Sequence, residues 1–299
     1  MTETYDVVIV GGGAAGLSAA LVLTRARRRV VVVDAGNPRN APAAHLHGYL
    51  SRDGLDPREL LRVGRAEIEG YGGEFVEDVV TRIRHDRSVE LAGGSVLAAR
   101  RVLVTTGLTD ELPEIPGVRE LWGSDVLHCP YCHGWEVRDQ PIGVLGGSPL
   151  TMHQAQLIRQ WSKDVTLFPH TMDLTDDDLA NLRTRGVDVV PGKVERLLTE
   201  GHRLRGVRMA DGTEVPRSAV FVGPRFVPKD ALLGTLGCER DENGQVRVDR
   251  FGRTSVSWVW AAGNAVDLSA QLVSAAGDGS RAAMSINAEL VHEGVYTAA

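Results

Sequence analysis

Residues 6–16 read DVVIVGGGAAG, an apolar run that ends in a glycine-rich turn. A stretch of small, helix-forming residues continues to about Arg27, and a second β-branched run, Arg29–Val33, stops at Asp34. The change of period from strand to helix and back predicts a βαβ unit. Its turn carries the G-x-G-x-x-G pattern that dinucleotides require.

The three glycines of this pattern have separate physical roles. Gly11 permits the tight turn, Gly13 lets a pyrophosphate approach the backbone, and Gly16 lets the helix pack closely on the strand. The helix N-terminus then offers N–H groups to the phosphates. Asp34 ends the second strand, where a carboxylate can accept hydrogen bonds from ribose hydroxyls. A purely structural glycine turn is the alternative, but strand, helix and terminal acid together favour a nucleotide site.

Length and charge restrict the remaining possibilities. The chain has 299 residues and a net charge of -6, which gives room for two domains and argues against a nucleic-acid surface. No run approaches about 18 apolar residues, and the start MTETYD lacks the features of a signal peptide. We therefore expect a cytoplasmic protein with no membrane partner.

A second βαβ signal begins at Pro141, with an apolar run to Leu145, the pair Gly146-Gly147 and a helix over about 151–161. Near the end of the chain, 258–263 reads WVWAAG and precedes a closing helix from about Gln271. Two such units predict an α/β protein with two doubly wound, Rossmann-like domains, the last strand returning to the first domain.

The second chemical signal is Cys129-Pro130-Tyr131-Cys132, flanked by His128 and His133. A C-x-x-C pair at a helix start favours the thiolate, and a histidine can take up its proton. Zinc is the competing interpretation, but a second C-x-x-C is missing and adjacent Cys132 and His133 make an awkward pair of ligands. We therefore expect redox chemistry and no metal, with Cys238 as a small buried residue.

The order of these motifs resembles that of low-molecular-weight thioredoxin reductases over essentially the whole chain. Further matches are Thr105-Thr106-Gly107, Ile115-Pro116-Gly117 and Ala262-Gly263-Asn264. The resemblance implies FAD, a homodimer, a discontinuous FAD-binding domain over 1–118 and 224–299, and a central NADPH-domain-like module over 119–223 that carries the C-x-x-C. It assigns these residues to the FAD site: Gly11, Gly13, Ala14, Ala15, Gly16, Asp34, Ala35, Val79, Thr106, Gly107, Gly263, Asn264, Gln271 and Leu272.

Four positions depart from the reductase pattern. Ser148 replaces the third glycine of the central turn, and Pro149 removes an N–H donor. Where NADPH-dependent members carry arginines for the 2′-phosphate, 169–178 reads PHTMDLTDDD, which lacks cations. His133 stands where an acid usually follows the second cysteine, and Asn264 replaces the usual aspartate. The first two departures predict poor NADPH binding.

A dithiol flavoprotein without a hydride donor is expected to run oxidatively. The motif CPYCHG is similar to that of the dithiol oxidases of gliotoxin and holomycin biosynthesis, the holomycin type being the nearer. The hypothesis is that a small-molecule dithiol attacks Cys129, Cys132 passes the electrons to FAD, and O2 accepts them as H2O2. His133 is the candidate catalytic base. The alternatives are an NADPH-dependent reductase of thioredoxin or another disulfide, and a binding protein without turnover.

Other side chains have open roles in this hypothesis. His45 and His47 follow the loop after Asp34 and either shape a pocket or bond to loop backbone. Trp122, Tyr131 and Trp135 either form an aromatic wall for a flat substrate or pack in a core or interface.

Overall fold

The computed structural model describes residues 4–296 and contains alternating strands and helices along most of that range. The strands are β1 (Thr4–Val10), β2 (Val30–Asp34), β3 (Glu74–Glu77), β4 (Val80–Ile83), β5 (Ser88–Leu91), β6 (Val96–Val104), β7 (Leu108–Glu111), β8 (Val126–Leu127), β9 (Ile142–Leu145), β10 (Val165–Phe168), β11 (Asp188–Val189), β12 (Val194–Glu200), β13 (Arg203–Met209), β14 (Glu214–Pro216), β15 (Ala219–Phe221), β16 (Arg225–Pro228) and β17 (Val259–Ala261). The helices are α1 (Ala14–Arg25), α2 (Pro57–Gly70), α3 (Pro130–His133), α4 (Thr151–Ile158), α5 (Asp176–Thr184), α6 (Ala231–Thr235) and α7 (Leu272–Tyr296), with a short 3-10 turn over Gly263–Ala265.

The described residues form two compact units. The first comprises the segments up to Ala41, Leu55–Thr109 and the chain from Val227; the second comprises Pro42–Gly54 and Asp110–Phe226. This division differs from the domain ranges proposed from the sequence chiefly because 42–54 belong to the second unit. The loop after β2 therefore packs with the residues around the cysteine pair rather than with the sheet it leaves.

The first unit is built on a seven-stranded sheet with the order β3-β2-β1-β6-β5-β4, and β17 also pairs with β6. β1 lies parallel to both β2 and β6, while β4, β5 and β6 are antiparallel neighbours. Alternate residues of β1 enter different cores: Val7 and Ile9 pack with α1 and α7, whereas Val8 and Val10 pack on the other face. Burial on both faces explains why β1 and β2 are continuous apolar runs.

The second unit contains a parallel five-stranded sheet with the order β11-β10-β9-β15-β8. Its strands are short and fully buried where they are central, as in Ile142–Leu145 and Val165–Phe168. A separate antiparallel sheet, β12-β13-β14, contributes Leu197, Val207 and Met209 to a core with Leu145 and Phe168. β7 and β16 pair as a further two-stranded sheet.

The prediction of two doubly wound α/β units is confirmed, and two local expectations can be refined. The sequence pattern over 75–83 predicts one strand, but the structure divides this stretch into β3 and β4, because Asp78 turns the chain and its side chain accepts from the amide of Val79 at 2.7 Å. Helix α2 begins as its Asp-Pro start predicts, with Asp56 accepting from the amide of Arg58 at 2.7 Å. Within residues 4–296, no helix combines the length and apolar character needed to cross a membrane.

Candidate active site

The first glycine turn joins β1 to α1 in the way the sequence pattern requires. Gly11 has φ +106°, and a Cβ there would lie 2.5 Å from the carbonyl oxygen of Thr105. A Cβ on Gly16 would overlap the carbonyl oxygen of Gly11. Both positions therefore exclude any larger residue for reasons internal to the fold.

Gly13 has a different environment, which bears on cofactor binding. It is the N-cap of α1, its side-chain position meets no atom within 4 Å, and no side chain caps the helix. The first turn contains no acidic residue and begins with Ala14 and Ala15. An uncapped helix start that faces open space fits the pyrophosphate of a dinucleotide, because the phosphate oxygens can accept from the first amides.

Asp34 lies at the carboxyl end of β2, beside this turn. Its carboxylate accepts from the amide of Gly12 at 3.1 Å and forms an ion pair with Arg65. Arg65 also lies over the ring of Phe75, with 5.0 Å from its guanidinium carbon to the ring centroid. The sequence prediction missed Arg65, since nothing in the α2 pattern distinguishes this arginine from its neighbours. The pair fixes the orientation of the carboxylate that was predicted to bind ribose.

Two more predicted positions follow the same strand end. Ala35 comes directly after β2, and the amide of Asp78 donates to the carbonyl of Asp34 at 3.2 Å. Val79, the next residue, is 51% exposed. The structure therefore brings Ala35 and Val79 to the edge of the sheet where Asp34 lies.

The late motif forms a compact turn at the carboxyl end of β17. Gly263 has φ +66° and begins the 3-10 turn, and Gln271 and Leu272 lie at the start of α7. A Cβ on Gly279 of α7 would overlap the carbonyl oxygen of Ala15, so α7 crosses the start of α1 at close range. The turn and the two helix starts therefore meet at one edge of the sheet.

The hydrogen bonds of Asn264 explain why an asparagine stands where an aspartate is usual. Its side-chain amide donates to the carbonyls of Asp267 and Ala270, each at 2.9 Å, and its oxygen accepts from Arg39 at 3.2 Å. A carboxylate could not donate either of the first two bonds. The amide therefore holds the turn together where an aspartate would repel it.

Thr106 and Gly107 follow β6 and contact the segment that re-enters the first unit. The Thr106 hydroxyl donates to the carbonyl of Lys229 at 2.6 Å, and the amide of Lys229 donates to the carbonyl of Gly107 at 2.9 Å. The Thr106 side chain is thus hydrogen-bonded to the backbone, and in this structure it stabilises the fold.

The cysteine pair lies in the second unit and is joined as a disulfide. Cys129 is the N-cap of the four-residue helix α3, and its Cα lies 5.2 Å from that of Cys132. The carbonyl of Cys129 accepts from the amides of Cys132 and His133 at 3.1 and 3.2 Å. The Pro-Tyr insert thus closes one helical turn and brings both sulfur atoms together, as the C-x-x-C spacing predicts.

A cavity of about 170 Å³ opens beside this disulfide. It is lined by His47, Gly48, Asp53, Tyr131, Cys132, Trp135 and Glu136. Tyr131 and Trp135 are 65% and 64% exposed, although large aromatic residues are usually buried. Their exposure favours the aromatic-wall interpretation for these two residues. Trp122 instead packs against the core of the second unit.

His47 is held between two carboxylates at the cavity wall. Its Nδ1 lies 3.3 Å from Asp53 and its Nε2 lies 3.4 Å from Glu136. The amide of Gly48 donates to Asp53 at 2.8 Å, and this bond, followed by that to His47, lowers the pKa of Asp53. His45 bonds to the backbone carbonyl of Gly54 at 3.1 Å, which matches the structural interpretation of that residue.

The two histidines that flank the cysteines have different surroundings. Burial lowers the pKa of His133, with smaller lowering by His47 and His128, while Glu136 raises it. A buried imidazole with a lowered pKa is neutral at pH 7 and can accept a proton. His128 instead bonds through Nδ1 to the carbonyl of Val222 at 3.2 Å and packs edge-on to Phe226.

The second glycine turn satisfies its donors internally. The amide of Ser148 donates to the Thr151 hydroxyl at 3.2 Å, and the amide of Leu150 donates to the Ser148 hydroxyl at the same distance. Pro149 has no amide hydrogen. The amides of Ser148 and Leu150 are therefore already hydrogen-bonded within the turn, where a phosphate would need them as donors. A cavity of about 260 Å³ nevertheless lies beside Gly146 and Gly147.

The segment after β10 makes contacts within the fold. His170, with φ +57°, accepts from the amide of Val194 at 3.0 Å through Nδ1. The acidic run caps α5: Thr175 accepts from the amide of Asp178, and Asp178 accepts from the amide of Thr175. Such a reciprocal cap accounts for these charges without a ligand. Among residues 4–296, no cluster of three or more His, Cys, Asp or Glu side chains is arranged to hold a metal ion.

The chain belongs to the pyridine nucleotide-disulphide oxidoreductase family, whose pattern matches residues 5–280. Its fold is thioredoxin reductase-like, and members of this group are FAD flavoproteins that exchange thiols and disulfides. The protein is similar to the crystal structure of HlmI, with 56% identity and a TM-score of 0.97 over 100% of this chain and 96% of that one.

Two further relatives place the chain in the same group. The putative thioredoxin reductase TrxB from Bacillus anthracis is 32% identical, with a TM-score of 0.92 over 97% of this chain and 99% of that one. Thioredoxin reductase sirT of Leptosphaeria maculans is 30% identical over 95% of this chain and 93% of its own length. The predicted family, the fold and the FAD cofactor are confirmed.

Proposed function

We propose that the protein is an FAD-dependent dithiol oxidase that closes an intramolecular disulfide in a small natural-product dithiol of holomycin-like size. The observation that carries this proposal is a contrast within the second unit. A disulfide borders a cavity with two exposed aromatic rings, while the amides of Ser148 and Leu150 in the nicotinamide-type turn bond within the turn, and residues 169–178 after β10 include no lysine or arginine.

The proposed reaction begins with attack of one substrate thiolate on the Cys129–Cys132 disulfide, which gives a mixed disulfide and one cysteine thiolate. The second substrate thiolate then displaces the enzyme sulfur and closes the product ring, leaving both cysteines reduced. A bound FAD would supply the acceptor for the two electrons of the cysteine pair, with O2 as the final acceptor. The balance is one dithiol and one O2 in, one cyclic disulfide and one H2O2 out.

Either Cys129 or Cys132 is the sulfur atom that the substrate attacks first. The sequence-based hypothesis assigns the attack to Cys129, whereas Cys132 is the cysteine on the cavity wall. A substrate that enters through this cavity meets Cys132 first. The stoichiometry is the same in both orders.

We propose His133 as the base that takes the proton from a substrate thiol. Its burial favours the neutral imidazole, and it directly follows Cys132. Because His47 lies on the cavity wall, it is the alternative base.

The His133→Ala variant is expected to lose more activity at pH 7 than at pH 9. Near pH 9 a thiol of ordinary pKa about 8.5 ionises without help, so the base becomes dispensable. Initial rates of O2 consumption at the two pH values, with His47→Ala as the matched variant, test the assignment. An equal loss at both pH values would remove His133 from the base role.

An NADPH-dependent thioredoxin or disulfide reductase is the second candidate. The names of sirT and of the Bacillus anthracis protein favour it, as does the cavity beside Gly146 and Gly147. Anaerobic stopped-flow spectroscopy separates the two functions through bleaching of the flavin absorbance. We expect rapid bleaching by a small dithiol and little by NADPH. Rapid bleaching by NADPH would overturn the oxidase and leave the fold unchanged.

From the family resemblance we also propose a homodimer, and a functional division into an FAD-binding domain over 1–118 and 224–299 and a central module over 119–223. The FAD-site residues named from the sequence belong to the same proposal. We propose a cytoplasmic location as well.

A further inference from the structure

The cavity beside the disulfide has an unusual set of charges on its wall. Asp53 and Glu136 both line it, and His47 lies between them with one ring nitrogen directed at each carboxylate. A neutral imidazole can donate from only one nitrogen, so it can satisfy only one of the two carboxylates. With His47 protonated, the three side chains sum to one negative charge; with His47 neutral, they sum to two.

A cation, Arg138, lies near this wall. Arg138 stacks on the ring of Trp135, with 4.0 Å from its guanidinium carbon to the ring centroid, and donates to the carbonyl of Trp135 at 2.6 Å. Arg138 does not line the cavity. Its charge therefore reduces the negative potential from outside, whereas the two carboxylates act on a ligand directly.

We propose that this cavity is a charge filter that admits neutral or cationic dithiols to Cys132 and disfavours anionic ones. The inference deepens the proposed function, because it names the chemical class of substrate for the same site. The aromatic rings of Tyr131 and Trp135 provide contact area for a small flat molecule without adding charge. The carboxylates provide the discrimination, since a like charge brought close to them is repelled.

A filter of this kind has a physiological rationale. Abundant cellular thiols such as glutathione carry net negative charge, and an oxidase that accepted them would convert O2 to H2O2 without making product. Repulsion at the cavity wall lowers that rate without any steric barrier to a small neutral substrate.

The first test compares dihydrolipoamide with dihydrolipoate as substrates of the flavin-loaded enzyme. The two differ only in a neutral amide or a carboxylate remote from the thiols. We expect kcat/KM to favour the amide on the order of fivefold, from one charge repelled at several ångströms in a medium of intermediate dielectric. Glu136→Gln should reduce this ratio toward one, and Arg138→Gln should increase it.

A second test needs no turnover and therefore separates the filter from the proposed function. In Cys129→Ser protein, Cys132 is the reactive thiol, because Cys238 is buried in the core. Its alkylation by neutral iodoacetamide should be faster than by anionic iodoacetate, by a ratio about fivefold above that of free cysteine. Glu136→Gln should lower the ratio, whereas Glu200→Gln, an exposed position on β12, should leave it unchanged.

The outcomes are distinct. Equal alkylation ratios for the protein and free cysteine, or no response to Glu136→Gln, overturn the filter even if dithiols are oxidised. If neither dihydrolipoamide nor any other dithiol drives O2 consumption while the alkylation ratio is raised, the filter stands and the oxidase proposal fails.

Discussion

Cys132→Ser is expected to abolish dithiol-dependent O2 consumption, with kcat lowered by at least roughly 10³-fold. The reaction requires both sulfur atoms, because a single remaining thiol cannot form the internal disulfide that accepts the electron pair of the substrate dithiol. Cys132 also lines the cavity, so the change removes the thiol that an entering substrate meets. An oxygen electrode and the flavin absorbance under anaerobic conditions give the two readouts.

Cys238→Ala is the matched control. Burial raises the pKa of the Cys238 thiol, which makes it a poor nucleophile, and it packs in the core of the first unit. Activity should therefore remain near that of the unchanged protein. Mass spectrometry of the single-cysteine variants, each treated with the cyclic disulfide product, would identify which thiol opens it to form a mixed disulfide. Substantial activity in Cys132→Ser would exclude the proposed disulfide relay.

The second large effect is expected at the first glycine turn, from comparison of Gly16→Val with Gly13→Ala. A side chain on Gly16 would overlap the carbonyl oxygen of Gly11, so the β1–α1 turn cannot form unchanged. Overpacking of this kind costs roughly 1–3 kcal/mol or more. We expect Gly16→Val to lower Tm strongly and to yield protein without bound flavin.

Gly13→Ala should separate cofactor binding from folding. A Cβ on Gly13 meets no protein atom within 4 Å, and the backbone there has φ -80°, which alanine accepts. The flavin-free protein should therefore keep its Tm, while flavin affinity falls because the methyl group enters the space assigned to the pyrophosphate. Normal flavin affinity in Gly13→Ala would contradict that assignment. Thermal unfolding and flavin titration of both variants provide the measurement.

The features that the sequence predicted well depend on neighbouring residues. The βαβ turn, the C-x-x-C turn and the Asp56 cap each form within a few positions of one another, so their spacing determines their geometry. The features it missed depend on distant parts of the chain. Arg65 meets Asp34 across 31 positions, and His47 meets Glu136 across an even longer separation.

The cavity wall illustrates the same limit. His47 was singled out as a loop residue with two open roles, whereas Asp53 and Glu136 were not recognised at all. The C-x-x-C motif identifies its own chemistry, but no local pattern shows that the 42–54 loop belongs to the unit that contains it. The spacing of apolar residues predicts which face of one helix or strand is buried. It does not predict this site, because the site forms where separate loops come together.

The turn at Ser148 also determines how the second unit could be redesigned if, as proposed, it does not bind NADPH. A Cβ on Gly223 would lie 2.5 Å from both Cβ and Oγ of Ser148, so the serine tolerates only glycine opposite it. Reversion at 148 alone would still leave Pro149 without an amide hydrogen and His170 engaged by the backbone of Val194. Several changes, each with little benefit by itself, would have to accumulate together. Under the proposed function, a pyridine-nucleotide-driven version would therefore require a graft of the whole segment instead of single substitutions.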